Sequence, residues 1–305
     1  MALGSAILML GSLRPVACSA RAHSATPAAA PSAAALAMPE PCSPGILLGD
    51  ELRYPTTWVG PRVAFDLAAI PANIPRWQLK DWGVFAAVTG ATIALMWPTG
   101  PSPDVRIDRW IARKMDPWMP DLWRPTNQAI LLGGLGLGGV VTWGVAHAQH
   151  KDALAEGISL VMESVAVAEV LHLVLKFLIG REGPGDGDGL GSVLGPSAAP
   201  RLYPAGTPSG HFASLYAVVG AAEAYWRPHW AVSTLIHLAV GAAALTNVIN
   251  HRHYLSDIVA GGAMGYATGY WVVRHRASRY AAKRGSRTQL RVTFTGQGVG
   301  LQLRF

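Results

Sequence analysis

The sequence predicts an all-α protein, a six-helix bundle embedded in a membrane, and three observations carry that expectation. Half of its 305 residues are hydrophobic and only 14% are charged, which excludes disorder for most of the chain. Six apolar runs recur at residues 82–97, 129–146, 154–179, 212–226, 230–249 and 258–273. An eighteen-residue helix covers about 27 Å, close to the ~30 Å of bilayer hydrocarbon. The runs are rich in Ala and Gly and flanked by Trp, which suits close helix packing in a membrane and equally the interior of a soluble helical domain.

Residues 1–22 read as a signal or leader segment. Residues 2–13 are apolar, and Ala17-Cys18-Ser19 and Ala20-Arg21-Ala22 offer cleavage sites of the A-x-A kind. Residues 23–80 comprise an Ala/Pro/Ser-rich linker to about residue 44 and a mixed stretch without assignment. Residues 81–274 form the helical domain, and 275–305 a basic segment with a β-hairpin tail. In that tail Leu290, Val292 and Phe294 alternate, Thr295-Gly296-Gln297-Gly298 turns, and Val299, Leu301, Leu303 and Phe305 alternate again. Two cysteines, Cys18 and Cys42, make neither a disulfide framework nor a zinc site.

The net charge of +7 raises nucleic acid as a partner, but the basic residues are not interleaved with aromatics. Many cluster after the last apolar run, at Arg274, Arg276, Arg279, Lys283, Arg284 and Arg287. Beside a hydrophobic helix such a cluster meets anionic lipid headgroups and marks the cytoplasmic side.

Two segments carry the chemistry. Thr207-Pro208-Ser209-Gly210-His211 reads as a helix start with Thr207 as N-cap and Pro208 at the first helical position, so its free N–H groups favour an anion, phosphate first. His253 and Asp257 stand four residues apart, which on a helix lets the carboxylate hold one ring nitrogen and leaves the other for chemistry. If successive helices alternate direction, these segments meet Lys176, Arg181 and Asn247 at one end of the bundle. The basic cluster then lies at the other end, the site faces outward, and the protein belongs to the cell envelope. A cleaved leader conflicts with an even number of spans, and a secreted or periplasmic helical domain is the alternative. Within the third run, Glu169 and His172 read as a buried ion pair, whereas Lys176 lies near the helix end, in reach of a bound phosphate. Gly183 to Gly191 reads as a surface loop over the site.

Lys176 with Gly180-Arg181 and Pro184, then Pro208-Ser209-Gly210-His211, then His253 and Asp257 resemble three motifs of the type 2 phosphatidic acid phosphatase and vanadium haloperoxidase superfamily. Those motifs are written KxxxxxxRP, PSGH and SRxxxxxHxxxD. PSGH alone is also an ordinary helix cap, and it is the ordered trio, spread over residues 82–273, that is specific. The resemblance implies a phosphatase acting on a phosphorylated lipid or a small phosphate, with no cofactor and no metal. It makes His253 the nucleophile, Asp257 its orienting partner and His211 the proton donor to the leaving oxygen. Ser209 and Gly210 would bind phosphate oxygens and Lys176 would balance their charge.

Two departures stand out. Gly183 occupies the place of the first motif's arginine, and Thr246-Asn247 that of the Ser-Arg pair opening the third. Arg181 and Arg252 are the candidate substitutes for phosphate binding. Two rival readings follow: a pseudoenzyme that binds phosphate or lipid headgroups, and a vanadate-dependent haloperoxidase with His253 as the metal ligand.

Overall fold

A computed structural model of the protein describes residues 59–97, 101–115, 125–185, 189–196, 206–285, 289–295 and 298–304. The expected leader, the Ala/Pro-rich linker, both cysteines, Arg287 and the tip of the C-terminal turn lie outside them.

Eight α-helices, rather than six, occur among the described residues: α1 (Val59–Asn73), α2 (Leu79–Met96), α3 (Pro103–Met115), α4 (Pro125–Ala148), α5 (Asp152–Ile179), α6 (Gly210–Trp226), α7 (Trp230–Ile249) and α8 (Leu255–Gly285). Each apolar run falls on one of α2 and α4 to α8. The two additions, α1 and α3, come from stretches with no continuous apolar run. In α3 the local signals are nonetheless clear. Ser102 accepts the Val105 N–H at 3.4 Å, Pro103 takes the first helical position, Asp104 lies in the first turn, and Arg113 and Lys114 lie in the last. Asp104, Val105 and Ile111 are buried while Arg106 and Trp110 are exposed, so α3 lays one face on the domain.

The centre of the domain is the α6–α8 pair. Gly261, Gly265 and Gly269 recur every fourth residue along α8. A Cβ on them would collide with the backbones of Ser209, Ala213 and Ala217 respectively, which are spaced the same way at the start of and along α6. From the other side, a Cβ on Gly220 would strike the backbone of Tyr266. Small residues at this spacing let two helix backbones touch, a packing that pays no side-chain entropy. Around the pair, α5 packs on both members, α1 and α4 pack on α5, α7 on α6, α2 on α8, and α3 bridges α7, α2 and α8. Ile111, Phe212, Val248, Ile249 and Ile258 form a buried apolar cluster joining α3, α6, α7 and α8. Leu160, Ala221, Ala224, Tyr225 and Val273 do the same further along α5, α6 and α8.

The outside is apolar as well. Among the described residues three helices, α2, α5 and α7, are long and apolar enough to cross a membrane. Trp82, Phe85 and Ile93 on α2, Leu173 and Leu178 on α5, and Leu235 and Leu238 on α7 are exposed. Large apolar side chains turned outward over whole helices are what lipid contact requires and water disfavours.

Helix α8 has 31 residues, about 46 Å at the helical rise, and runs past residue 274 to carry Arg274, Arg276, Arg279, Lys283 and Arg284 at the end far from His253. Arg276 is not a headgroup-facing cation. It donates to Glu163 of α5 and, at 3.2 Å, to Asp66 of α1, because two buried carboxylates in the core require a cation nearby. Strands β1 (Gln289–Thr295) and β2 (Gly298–Arg304) pair antiparallel, with Gln289 opposite Arg304.

Candidate active site

Four chain segments meet at one end of the domain. Helix α5 stops at Gly180, whose φ of 56° is the left-handed conformation that glycine adopts without steric cost, and whose N–H donates to the Lys176 carbonyl. The chain then turns inward with Arg181, and the Leu194 N–H returns to the Gly180 carbonyl at 2.9 Å. Lys176, one turn back, is buried.

Helix α6 starts at Gly210 with Ser209 in the N-cap position, two residues later than the sequence reading placed it. Thr207 does not cap the helix, because its hydroxyl is taken by the Asp257 carboxylate. The Ser209 N–H is also occupied, donating to the Asp257 backbone carbonyl at 2.9 Å. The Ser209 side chain is different: Oγ is buried and has no hydrogen-bond partner among the described residues. Next to it, the first-turn amides of α6 lie before the ladder begins with Ala213 N–H to Ser209 O. The His172 ring of α5 packs against Gly210, where a Cβ would collide with it. Glu169 accepts from the Ser214 hydroxyl and lies 3.1 Å from His172 Nδ1, so the expected pair forms, but only His172 is buried and the Glu169 side chain stays partly exposed.

His253 is buried in the loop before α8, with Nδ1 3.5 Å from Asp257 Oδ2. Asp257 is wholly buried, and its two oxygens have separate duties. Oδ2 also accepts the Tyr254 N–H at 3.0 Å, while Oδ1 accepts from Arg181 Nη1 at 2.9 Å and from Thr207. Burial pushes the Asp257 carboxyl up, but the adjacent His253 ring and the charge of Arg181 outweigh it and hold the group below the usual carboxylate range. His211, at the first turn of α6 ahead of the apolar run, is pushed below the usual histidine value by burial and then by His253. Arg252 is half-buried, lowered by desolvation, and anchored by its N–H to the Asn247 carbonyl at 3.0 Å. The Asn247 side chain turns back to donate to the Ala243 carbonyl at 2.9 Å.

Arg181 points into the protein. Its side chain is 0% exposed. Nε donates to the Gly191 carbonyl at 3.2 Å, Nη1 to Ser256 Oγ at 2.6 Å and to Asp257, and Nη2 to Asp104 Oδ2 at 3.0 Å. The Tyr254 ring covers the guanidinium with its centroid 4.4 Å away. Asp104 also accepts from the Ser256 amide at 3.2 Å and from the Ser256 hydroxyl. Burial raises the Asp104 carboxyl above its ordinary range, with Ser256 and Arg181 opposing. One turn on, Asp108 of α3 holds His251 Nδ1 at 2.7 Å.

The structure thus brings together His211, His253, Asp257, Ser209, Gly210, Lys176 and Arg252. Sequence reasoning passed over Asp104, Asp108, Thr207's bond to Asp257, and Ser256. The Ser102-Pro103-Asp104 helix start was the available signal for α3, yet nothing local names its partners. Neither a curated protein nor a solved structure matches the chain. Residues 158–280, the stretch from α5 through α8 that supplies both histidines, match the model of the PAP2 superfamily, in agreement with the resemblance that the three motifs carry.

Proposed function

We propose that the protein is a membrane-embedded phosphatase that hydrolyses a phosphomonoester or pyrophosphate, with a phosphorylated lipid as substrate, through a phosphohistidine on His253. The observation that carries the reading is the pairing of His253 with the wholly buried Asp257 beside His211. With Nδ1 turned to the carboxylate, the proton belongs on Nδ1 and Nε2 keeps its lone pair.

Nε2 attacks phosphorus as the ester P–O bond breaks, and His211, in its protonated form, gives its proton to the departing oxygen. His211, now neutral, takes a proton from a water that attacks the phosphohistidine, releasing inorganic phosphate and restoring His253. The Ser209 hydroxyl and the first amides of α6 receive the phosphoryl oxygens. Lys176 and Arg252 supply positive charge, and no cofactor or metal takes part on this reading. With α2, α5 and α7 in the membrane and the basic end of α8 on the cytoplasmic side, the site opens outward in the cell envelope.

A second reading, a phosphate-binding pseudoenzyme, is favoured by one observation. Gly183 and Asn247 replace both motif arginines, and Arg181 is engaged by Asp104 and Asp257. Phosphate release from lipid and soluble phosphates by the purified protein, with and without vanadate, separates the two. Turnover that is blocked by vanadate and lost in His253→Ala, with helical content intact, is expected. Full activity in that variant, or phosphate trapped on another residue, overturns the mechanism.

A further inference from the structure

We infer that Arg181 and Asp104 form a positioning device for His253, in which Arg181 bridges the carboxylates of Asp104 and Asp257 and so sets how firmly Asp257 holds the His253 ring. The inference rests on the reading of His253 as the nucleophile, and it gives Arg181 a role other than phosphate binding.

Three features carry it. First, Arg181, Asp104 and Asp257 all have fully buried side chains. A guanidinium sealed between two carboxylates reaches a phosphate only by abandoning both. Second, the bridge is reinforced by Ser256, whose hydroxyl accepts from Arg181 Nη1 and donates to Asp104, and whose amide donates to Asp104 Oδ1. Third, Asp257 divides its oxygens, Oδ1 toward Arg181 and Thr207, Oδ2 toward the Tyr254 amide and His253. The charge on Asp104 therefore competes with Asp257 for Arg181, and Arg181 competes with His253 for Asp257. None of the three motifs contains Asp104, which reaches the site from α3.

The charges have opposite consequences when removed. Without the Asp104 carboxylate, Arg181 belongs to Asp257 alone, and the imidazolium form of His253 loses support. Without the Arg181 charge, Asp257 serves His253 alone and the imidazolium gains support. Besides Asp257, His253 faces His211 on α6, which in turn interacts with Glu169 and Lys176 on α5 and with Arg252, and all are common to the variants.

The test is an NMR titration of the full chain in detergent micelles with ¹³C-labelled histidine rings, the His253 signal being assigned by its loss in His253→Ala. In the near-isosteric Asp104→Asn variant the His253 midpoint should fall by at least about half a pH unit, and in Arg181→Gln it should rise by a similar amount. Damage to packing alone does not give shifts of opposite sign. A midpoint in folded Asp104→Asn that stays put or rises overturns the inference. If Arg181→Gln loses its helical signal, Asp104→Asn decides alone. Where turnover is present, Asp104→Asn should lower kcat about tenfold with KM within about twofold. A parent protein that shows the titration shifts but never releases phosphate overturns the phosphatase reading and leaves the bridge standing. Turnover without the shifts does the reverse.

Discussion

The backbone N–H of Ser209 donates to the backbone carbonyl of Asp257 at 2.9 Å, joining the starts of α6 and α8 by a bond that involves no side chain. The two histidines ride on either side of that bond, His211 two residues after Ser209 and His253 four before Asp257. Their spacing is thus fixed by main chain, and side-chain substitutions in the site test chemistry more than architecture.

Ser209→Ala provides the cleanest case. Its hydroxyl is buried with no partner among the described residues, so removal strips no protein hydrogen bond, and the melting temperature should hold or rise slightly. A phosphoryl oxygen would lose a donor. The expected fall in kcat/KM is on the order of 10 to 100-fold, measured as phosphate release, and an unchanged kcat/KM would remove Ser209 from the phosphate site.

The pH dependence follows from His211. Burial, then the neighbouring His253, lower it from the ordinary value of 6.5. On the proposed mechanism His211 must be charged in the free enzyme to donate its proton, and with a lowered value it becomes so only as pH falls below the usual histidine range. The alkaline limb of log kcat/KM should therefore turn down below pH 6.5. His211→Ala should abolish that limb along with most of the rate. A limb above pH 7.5 or so would assign the donor elsewhere.

Asn247→Arg addresses the missing clamp. Asn247 is buried and donates to a carbonyl of its own helix, so the new guanidinium must displace that bond to reach the site. If the site is limited by its lack of arginines, kcat/KM should rise about tenfold or more. If Lys176 and Arg252 already supply the charge, kcat/KM should stay flat or fall, while Arg252→Ala costs on the order of a hundredfold. Indifference to both changes would mean that phosphoryl transfer does not occur here.

Gly265→Ala tests the helix pair. The added Cβ would strike the Ala213 backbone, which cannot rotate away, so a loss of about 1–3 kcal/mol in stability is expected. Gly241 of α7, where a Cβ meets nothing within 4 Å, is the control, and Gly241→Ala should leave thermal unfolding unchanged or slightly improved. Equal behaviour of the two variants would show that the backbones do not touch.

How much of this was legible in the sequence depends on whether the signal was local. Lys176, Ser209-Gly210-His211 and His253 with Asp257 announce themselves because each motif lies within a few residues, at a helix end. The apolar runs are legible for the same reason, a hydropathy signal needing no partner. Arg181 was visible as a basic residue near the site, but its orientation depends on Asp104, 77 residues away, and no local pattern encodes that pairing. The start of α6 was misplaced by two residues because Thr207 looks like a cap until Asp257 arrives to claim its hydroxyl. Helices α1 and α3 were missed since an amphipathic helix that buries charge, as α3 does with Asp104, shows too little apolar content to stand out.

The glycine contacts along α8 have one more consequence. Where backbones touch directly, no side chain lies between them to change rotamer, so α6 and α8 behave as a single rigid strut and breathing motions are denied to the pair. Adaptation to a larger or smaller ligand must then be worked out in the surrounding helices. The lineage can retune what enters by altering α3, α5 and α7, while the distance between its two histidines is held constant by residues that have no side chains to vary.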